Sequence, residues 1–260
     1  MLKPMNLRPI SCAVLLALSL GGSTSSQAGP AAPAQKRPVV VELYTSQGCS
    51  SCLPADALLA KLTKRSDVLP LSLSITYWDM LGWKDTLASE NNTRRQEAYA
   101  AQMGHGAVYT PQMIVDGTTD VVGSREAQVL SAIDARAHDG DADDVPVAVN
   151  ETKSELHIGI AASADRGAQP ATVWMFHLRG QATVAIGGGE NDGRTMTYHN
   201  VVGDLRAVGQ WKGEKLSIDL PRAALEGLPH DAVAIVVQRG GYGHIVGAAM
   251  LSHPDFYPEQ

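Results

Sequence analysis

Two cysteines three residues apart, Cys49 and Cys52, are the residues of this chain best suited to chemistry. They follow Val39-Val40-Val41-Glu42-Leu43-Tyr44, a Val-rich apolar run broken only by Glu42, which reads as a buried central strand. Gly48 supplies backbone freedom where the chain turns. From Leu53 the pattern becomes helical, with Leu58, Leu59 and Leu62 sharing a face. The spacing therefore predicts two thiols at the mouth of a helix. Unpaired N–H groups and partial positive charge at a helix start favour thiolate over thiol, and thiolate is the reactive species. Cys49, nearer the loop, is expected to be an exposed attacker, and Cys52, one turn in, the resolving thiol. Ser50 and Ser51 could donate hydrogen bonds to the thiolate, which would make the pair more oxidising; dithiols of this spacing span roughly −270 to −120 mV. A lone C-x-x-C also fits a static disulfide or half of a metal site.

The elements that must position the pair follow in order. Residues 68–76 read as a second strand, with Leu69, Leu71, Leu73 and Ile75 alternating against Pro70, Ser72 and Ser74. The loop after it holds Tyr77-Trp78-Asp79 and Leu81-Gly82-Trp83-Lys84-Asp85. If the two strands are parallel, this loop leaves the sheet at the same edge as the cysteines, where ligands of open α/β sheets bind. Trp78 and Trp83 are then either a docking surface around Cys49 or caps on the core. Residues 85–103 read as a helix ended by Gly104-His105-Gly106. Thr110-Pro111 opens a strand, where proline is tolerated. Asp116-Gly117 is a hairpin turn, 119–122 the returning strand, and Ser124 caps a helix to about residue 137.

At this point the order strand, helix, strand, helix, strand, strand, helix resembles the thioredoxin fold, with C-x-x-C after the first strand and Thr-Pro before the third. The resemblance implies that Pro111 is cis, sits against the dithiol, presents the Thr110 backbone to a substrate chain and keeps metals off the thiols. More closely, the chain resembles a family of exported bacterial proteins of unknown function. The residues that carry this are Glu42-Leu43-Tyr44-Thr45-Ser46-Gln47-Gly48-Cys49-Ser50-Ser51-Cys52, Pro54-Ala55-Asp56, the two tryptophan motifs, Tyr109-Thr110-Pro111-Gln112, Gly189-Glu190-Asn191 and Gly193-Arg194-Thr195. This chain has Leu53 where that family usually has proline, and Thr76 where it tends to carry an acid. Thioredoxin-like proteins often bury an acid behind the dithiol. Glu42, seven residues before Cys49, is the candidate here: a buried carboxylate with a raised pKa could take the proton of Cys52. The alternatives are that Glu42 pairs with a basic group or faces a wet edge.

Beyond a polar linker near 137–144, the helical period fades. Runs at 145–150, 155–160, 172–178, 182–186, 216–220, 232–238 and 245–251 are short strand candidates, with 195–198 and 201–211 as possible additions. The expected fold class is an α/β thioredoxin-like domain over residues 38–140, followed by an all-β sandwich-like domain over 145–260. The turn 187–194 lacks the Lys-Ser/Thr and the strand-to-helix context of a phosphate loop, and no cofactor is expected. Arg194, Tyr198, His199 and Asn200 are a polar cluster that either faces the thiols or lies in a solvated loop.

Composition sets the outer bounds. The 260 residues leave room for two domains, 44% are hydrophobic and 5% aromatic, and the formal charge is −6 with no basic run. A nucleic-acid or acidic-membrane partner is not expected. Residues 1–28 read as an export signal: Lys3 and Arg8, an apolar run at 13–20 too short for a membrane span, and Ser26-Gln27-Ala28 as a cleavage site. Residues 29–37 read as a flexible leader. Cleavage near Ala28 would remove Lys3, Arg8 and Cys12, taking the charge from −6 to −8 and leaving only Cys49 and Cys52 in a periplasmic or secreted chain with no transmembrane span. The leading functional expectation is thiol–disulfide exchange with protein or small-molecule thiols and disulfides, or with a periplasmic redox partner. The competitors are a copper(I)- or zinc-binding module using the same cysteines with His105 or His199, and a partner-binding protein without catalysis.

Overall fold

The structure, a computed structural model, describes residues 36–138, 144–163, 169–222 and 231–252. The segments read as an export signal and most of the expected leader, together with the centre of the expected linker, lie outside these residues.

The first half matches its expected order. Strand β1 (Val39–Thr45) is buried along its whole length. It pairs in parallel with β2 (Val68–Ser74), so the loops after both strands do leave one sheet edge. Between them lies α1 (Leu53–Leu62), with Pro54 in the first turn, where a missing N–H costs nothing. Leu58, Leu59 and Leu62 of α1 pack on Val39, Val41 and Leu43, together with Val129 and Ile133 of α3 (Glu126–His138). The alternate residues Val40 and Tyr44 face the opposite side of the sheet and pack with Tyr99 of α2 (Glu90–Met103). Helix α2 starts five residues later than its sequence pattern suggests. Ser89 is the cap, and its side chain accepts from Asn91 N. Strands β3 (Gln112–Val115) and β4 (Thr119–Val122) form the expected hairpin. Asp116 and Gly117 take φ of 50° and 72° at its turn, as a tight hairpin requires. A Cβ on Gly117 would lie 2.1 Å from Gly243 O, so a side chain has no room there.

The second half corrects the expected fold class. There is no α/β domain followed by a separate sandwich. One mixed sheet of eight strands, in the order β11-β10-β7-β8-β2-β1-β3-β4, runs through both halves. Its remaining members are β7 (Ala171–Ala185), β8 (Thr195–Trp211), β10 (Ala232–Arg239) and β11 (Ile245–Ser252). Strand residues make up 44% of the described residues and helical ones 24%, so β structure sets the architecture. The junction is the pairing of β2 with β8, parallel at Ser72 and Val201. Beside it Asn200, buried and at φ 48°, donates from Nδ2 to Pro70 O at 2.9 Å. Sequence periodicity reads each strand locally but carries no signal for which edge it joins. It also split each of β7 and β8 in two, although each is one long strand with register shifts inside their shared ladder. A second sheet, β5 (Val147–Glu151), β6 (Glu155–Ile160) and β9 (Leu216–Pro221), is antiparallel. Its Leu156, Ile158 and Ile160 pack on Val173, Met175, Val233 and Ile235 of the large sheet.

Candidate functional site

Cys49 and Cys52 are joined in a disulfide, with their Cα atoms 5.4 Å apart. A short 3-10 turn, Ser50–Cys52, precedes α1, so the pair occupies the helix mouth expected of it. Access differs from expectation. Both cysteines are 0% exposed, whereas Ser50 and Ser51 face outward. The reason is that two loops close over the sulfurs.

The first cover is the tryptophan loop. Trp78 Nε1 donates to Thr110 Oγ1 at 2.9 Å, and Thr110 Oγ1 in turn donates to Cys49 Sγ at 3.4 Å. The Thr110–Pro111 peptide is cis. Thr110 thus meets the dithiol through its hydroxyl, and Ser51 Oγ lies 3.3 Å from the same sulfur. Trp83 Nε1 donates to Gln47 Oε1 at 2.8 Å, and Asp85 Oδ2 accepts from Gln47 N at 2.8 Å. Both tryptophans are half-buried, and in the same loop Met80 is 84% and Leu81 47% exposed.

The second cover comes from the other half of the chain and was not legible as a site in the sequence. The turn 187–194 folds back onto the C-x-x-C loop. A Cβ on Gly188 would meet Gly82 O at 2.9 Å, and one on Gly189, at φ +71°, would lie 3.4 Å from Gly48 Cα. Asn191 Nδ2 donates to Gln47 O at 2.9 Å. Glu190 Oε2 accepts from Ser50 N at 3.0 Å and from Ser50 Oγ at 2.7 Å. The signals available beforehand were the glycine run, which allows this close approach, and the place of Gly189-Glu190-Asn191 among the residues that carry the family resemblance; neither says what the turn touches. The polar cluster singled out in that region divides. Arg194 is exposed, His199 is half-buried on β8 with burial lowering its pKa, Asn200 holds Pro70, and Tyr198 is buried.

Glu42 is fully buried, on the α2 face of the sheet, and is held by Arg95. Arg95 Nε and Nη2 donate to its oxygens at 2.5 and 3.0 Å, Tyr99 OH at 2.6 Å and Tyr44 OH at 3.1 Å. The guanidinium lies 5.0 to 5.6 Å from the ring centroids of Tyr99, Trp174, Phe176 and Tyr242. The pair therefore ties α2 to β1 and, through Trp174 and Phe176, to β7. A second buried acid lies on the helix that follows the thiols. Asp56 follows Cys52 by four residues on α1, a spacing that puts side chains on one face about 5–6 Å apart at Cβ. Asp56 is 6% exposed, and the Thr45 hydroxyl faces its carboxyl without a well-formed hydrogen bond. Burial first, and then the nearby Asp85 charge, push its pKa up to about 8 against a partial offset from Thr45. From β8, Tyr198 faces the same acids, and burial with their charge holds its phenol protonated.

For metals, among the described residues no group of three or more His, Cys, Asp or Glu side chains could hold an ion. His105, named as a ligand candidate, places its Nε2 3.3 Å from Asp120 Oδ2. Also among the described residues, no helix is long and apolar enough to cross a membrane.

Fold and site together define a mixed-sheet protein with a Cys-Ser-Ser-Cys disulfide at a helix mouth, covered from both halves of the chain. The chain belongs to a family described as a protein of unknown function, DUF1223, which matches residues 40–238. It is similar to a structural-genomics crystal structure of a protein from Agrobacterium tumefaciens, at 35% identity and a TM-score of 0.75, over 87% of this chain and 100% of that one. It is also similar to HBP35 of Porphyromonas gingivalis, at 14% identity and a TM-score of 0.59, over 86% of this chain and 79% of that one; that likeness concerns the fold alone. No curated protein matches the chain.

Proposed function

We propose that this protein is an exported thiol–disulfide exchange protein. The observation that carries the reading is the Cys49–Cys52 disulfide at the first turn after β1, with the Thr110 hydroxyl on Cys49 Sγ. The leader pattern supports export, where no third cysteine of the processed chain would compete for pairing.

In the reduced protein the Cys49 thiolate attacks one sulfur of a partner disulfide. A mixed disulfide forms, and the partner's other sulfur leaves as thiolate. Cys52 then gives its proton to the Asp56 carboxylate and attacks Cys49 Sγ. The Cys49–Cys52 bond closes, the mixed bond breaks, and the second partner thiolate leaves; both take protons from water. Two electrons have passed to the partner. In the opposite direction an incoming thiolate attacks Cys49 and expels Cys52, and Asp56 protonates it. With its pKa near 8 in the disulfide state, Asp56 holds that proton at neutral pH. Thr110 Oγ1, already donating to Cys49 Sγ, stabilises the thiolate. Since both sulfurs are buried, attack requires the tryptophan loop or the turn 187–194 to move aside. The exposed Met80 and Leu81 offer a partner chain an apolar contact beside that opening.

The test is trapping. A Cys52→Ala variant exposed to periplasmic extract should retain partners through Cys49, released by reductant and identified by mass spectrometry. Recovery of no partner, with Cys49 titratable in the folded variant, would instead support a binding protein without catalysis.

A further inference from the structure

A redox dithiol at a helix mouth normally draws on the helix N-terminus: free N–H groups and the positive dipole end stabilise the attacking thiolate. Here the first amide of the 3-10 turn that leads from Cys49 into α1 is occupied. The first amide after Cys49, Ser50 N, donates to Glu190 Oε2 at 3.0 Å, and the Ser50 hydroxyl donates to the same oxygen at 2.7 Å. Glu190 does not arrive by chance of a loose side chain. Its turn is pinned on both sides, by Asn191 to Gln47 O and by Gly188 and Gly189 packed on Gly82 and Gly48. Its position on the amide holds its carboxyl below the usual carboxylate range, so it is ionised at neutral pH.

We propose that Glu190 is a positioning residue that sets the redox poise of the dithiol, holding the Cys49 thiolate less stable and so making the protein an electron donor rather than a strong oxidant. The inference rests on the exchange reading above. Two effects act in the same direction. The carboxylate takes the amide and hydroxyl donors that a thiolate would use, and it places a negative charge one residue from Cys49. The other acids near the thiols, Asp56 on α1 and Asp85 in the tryptophan loop, are buried with raised pKa values, whereas Glu190 is exposed with a lowered one, so its charge is the most firmly held of the three. Serines at both central positions would by themselves favour the thiolate. Ser50 is diverted to Glu190, and only Ser51 and Thr110 remain on Cys49 Sγ.

The equilibrium to measure is protein disulfide plus two glutathione thiols giving protein dithiol plus glutathione disulfide, which balances two electrons and two protons. Glu190→Gln keeps an acceptor for Ser50 and removes the charge. Removing a unit charge close to a thiolate changes that thiolate's stability by about tenfold. The variant should shift this equilibrium about tenfold toward dithiol, about 30 mV in potential. The alkylation profile of Cys49 should also move down by about one pH unit. An equilibrium constant and a profile both within twofold of the parent protein, in a variant with unchanged thermal unfolding, would overturn the proposal. If glutathione and dithiothreitol reduce neither protein while folded, the exchange reading itself fails, and that result is distinct from equal potentials.

Discussion

Replacing Asp56 by Asn removes one ionisable group while keeping shape and burial. In the unfolded chain this carboxyl titrates near its ordinary 3.8, whereas in the folded protein it holds its proton to about pH 8. Between those values the unfolded state binds fewer protons, so stability falls as pH rises and levels off above the folded pKa. At 1.36 kcal/mol per decade of proton affinity, the rise from 3.8 to about 8 is a ceiling of about 6 kcal/mol above pH 8 and about 4 kcal/mol at pH 7. The Asn variant, neutral throughout, escapes this penalty. Denaturant unfolding of the oxidised proteins should show Asp56→Asn more stable by several kcal/mol at pH 8.5 and nearly equal at pH 4. If Asp56 also exchanges a proton with Cys52, the more stable variant should react more slowly with thiols, and its rate should lose a titration near pH 8. A variant no more stable than the parent at pH 8.5 would refute the buried neutral acid. A stabilised variant with unchanged kinetics would leave Asp56 a structural residue.

Other outcomes follow from the same geometry. Glu42→Gln leaves Arg95 buried against a neutral partner and should cost about 3–5 kcal/mol of stability, measured by urea unfolding; if the thiol-exchange pH profile of the folded variant changes as well, Glu42 takes part in proton transfer. Thr110→Val removes the acceptor of Trp78 Nε1 and the donor to Cys49 Sγ. It should destabilise by about 1–3 kcal/mol and raise the Cys49 thiol pKa, read by iodoacetamide kinetics; an unchanged thiol would remove Thr110 from the site. Gly189→Ala forces a side chain into φ +71° against Gly48. It should loosen the turn and speed reduction of the disulfide by dithiothreitol, and a slower rate would contradict the role of that turn as a cover.

Much of the local structure was legible in the residues. The Val-rich run before Gly48, the helix face of Leu58, Leu59 and Leu62, and the Asp116-Gly117 turn are short-range signals, and each element stands within a few residues of its pattern. What eluded the sequence is long-range. Nothing in 195–198 and 201–211 marks one strand that joins the edge of β2, because Asn200 looks like a turn residue until its amide is seen on Pro70 O. For the same reason the second half reads as a separate domain. The site divides along this line too. The thiols follow from motif spacing, the tryptophan loop from the parallel strand order, and Thr110 and Pro111 from the resemblance. Glu190 required knowledge of a contact 140 residues away. Asp56 was visible four residues after Cys52, but its weight comes from burial, which spacing alone does not give.

The account depends on whether the covered disulfide turns over in the folded protein. Native protein equilibrated with graded ratios of reduced to oxidised dithiothreitol, quenched with a maleimide and scored by mass should pass cleanly from two unlabelled to two labelled cysteines, with far-ultraviolet circular dichroism unchanged. A disulfide that resists reduction until the chain unfolds would show that Cys49 and Cys52 are a structural staple.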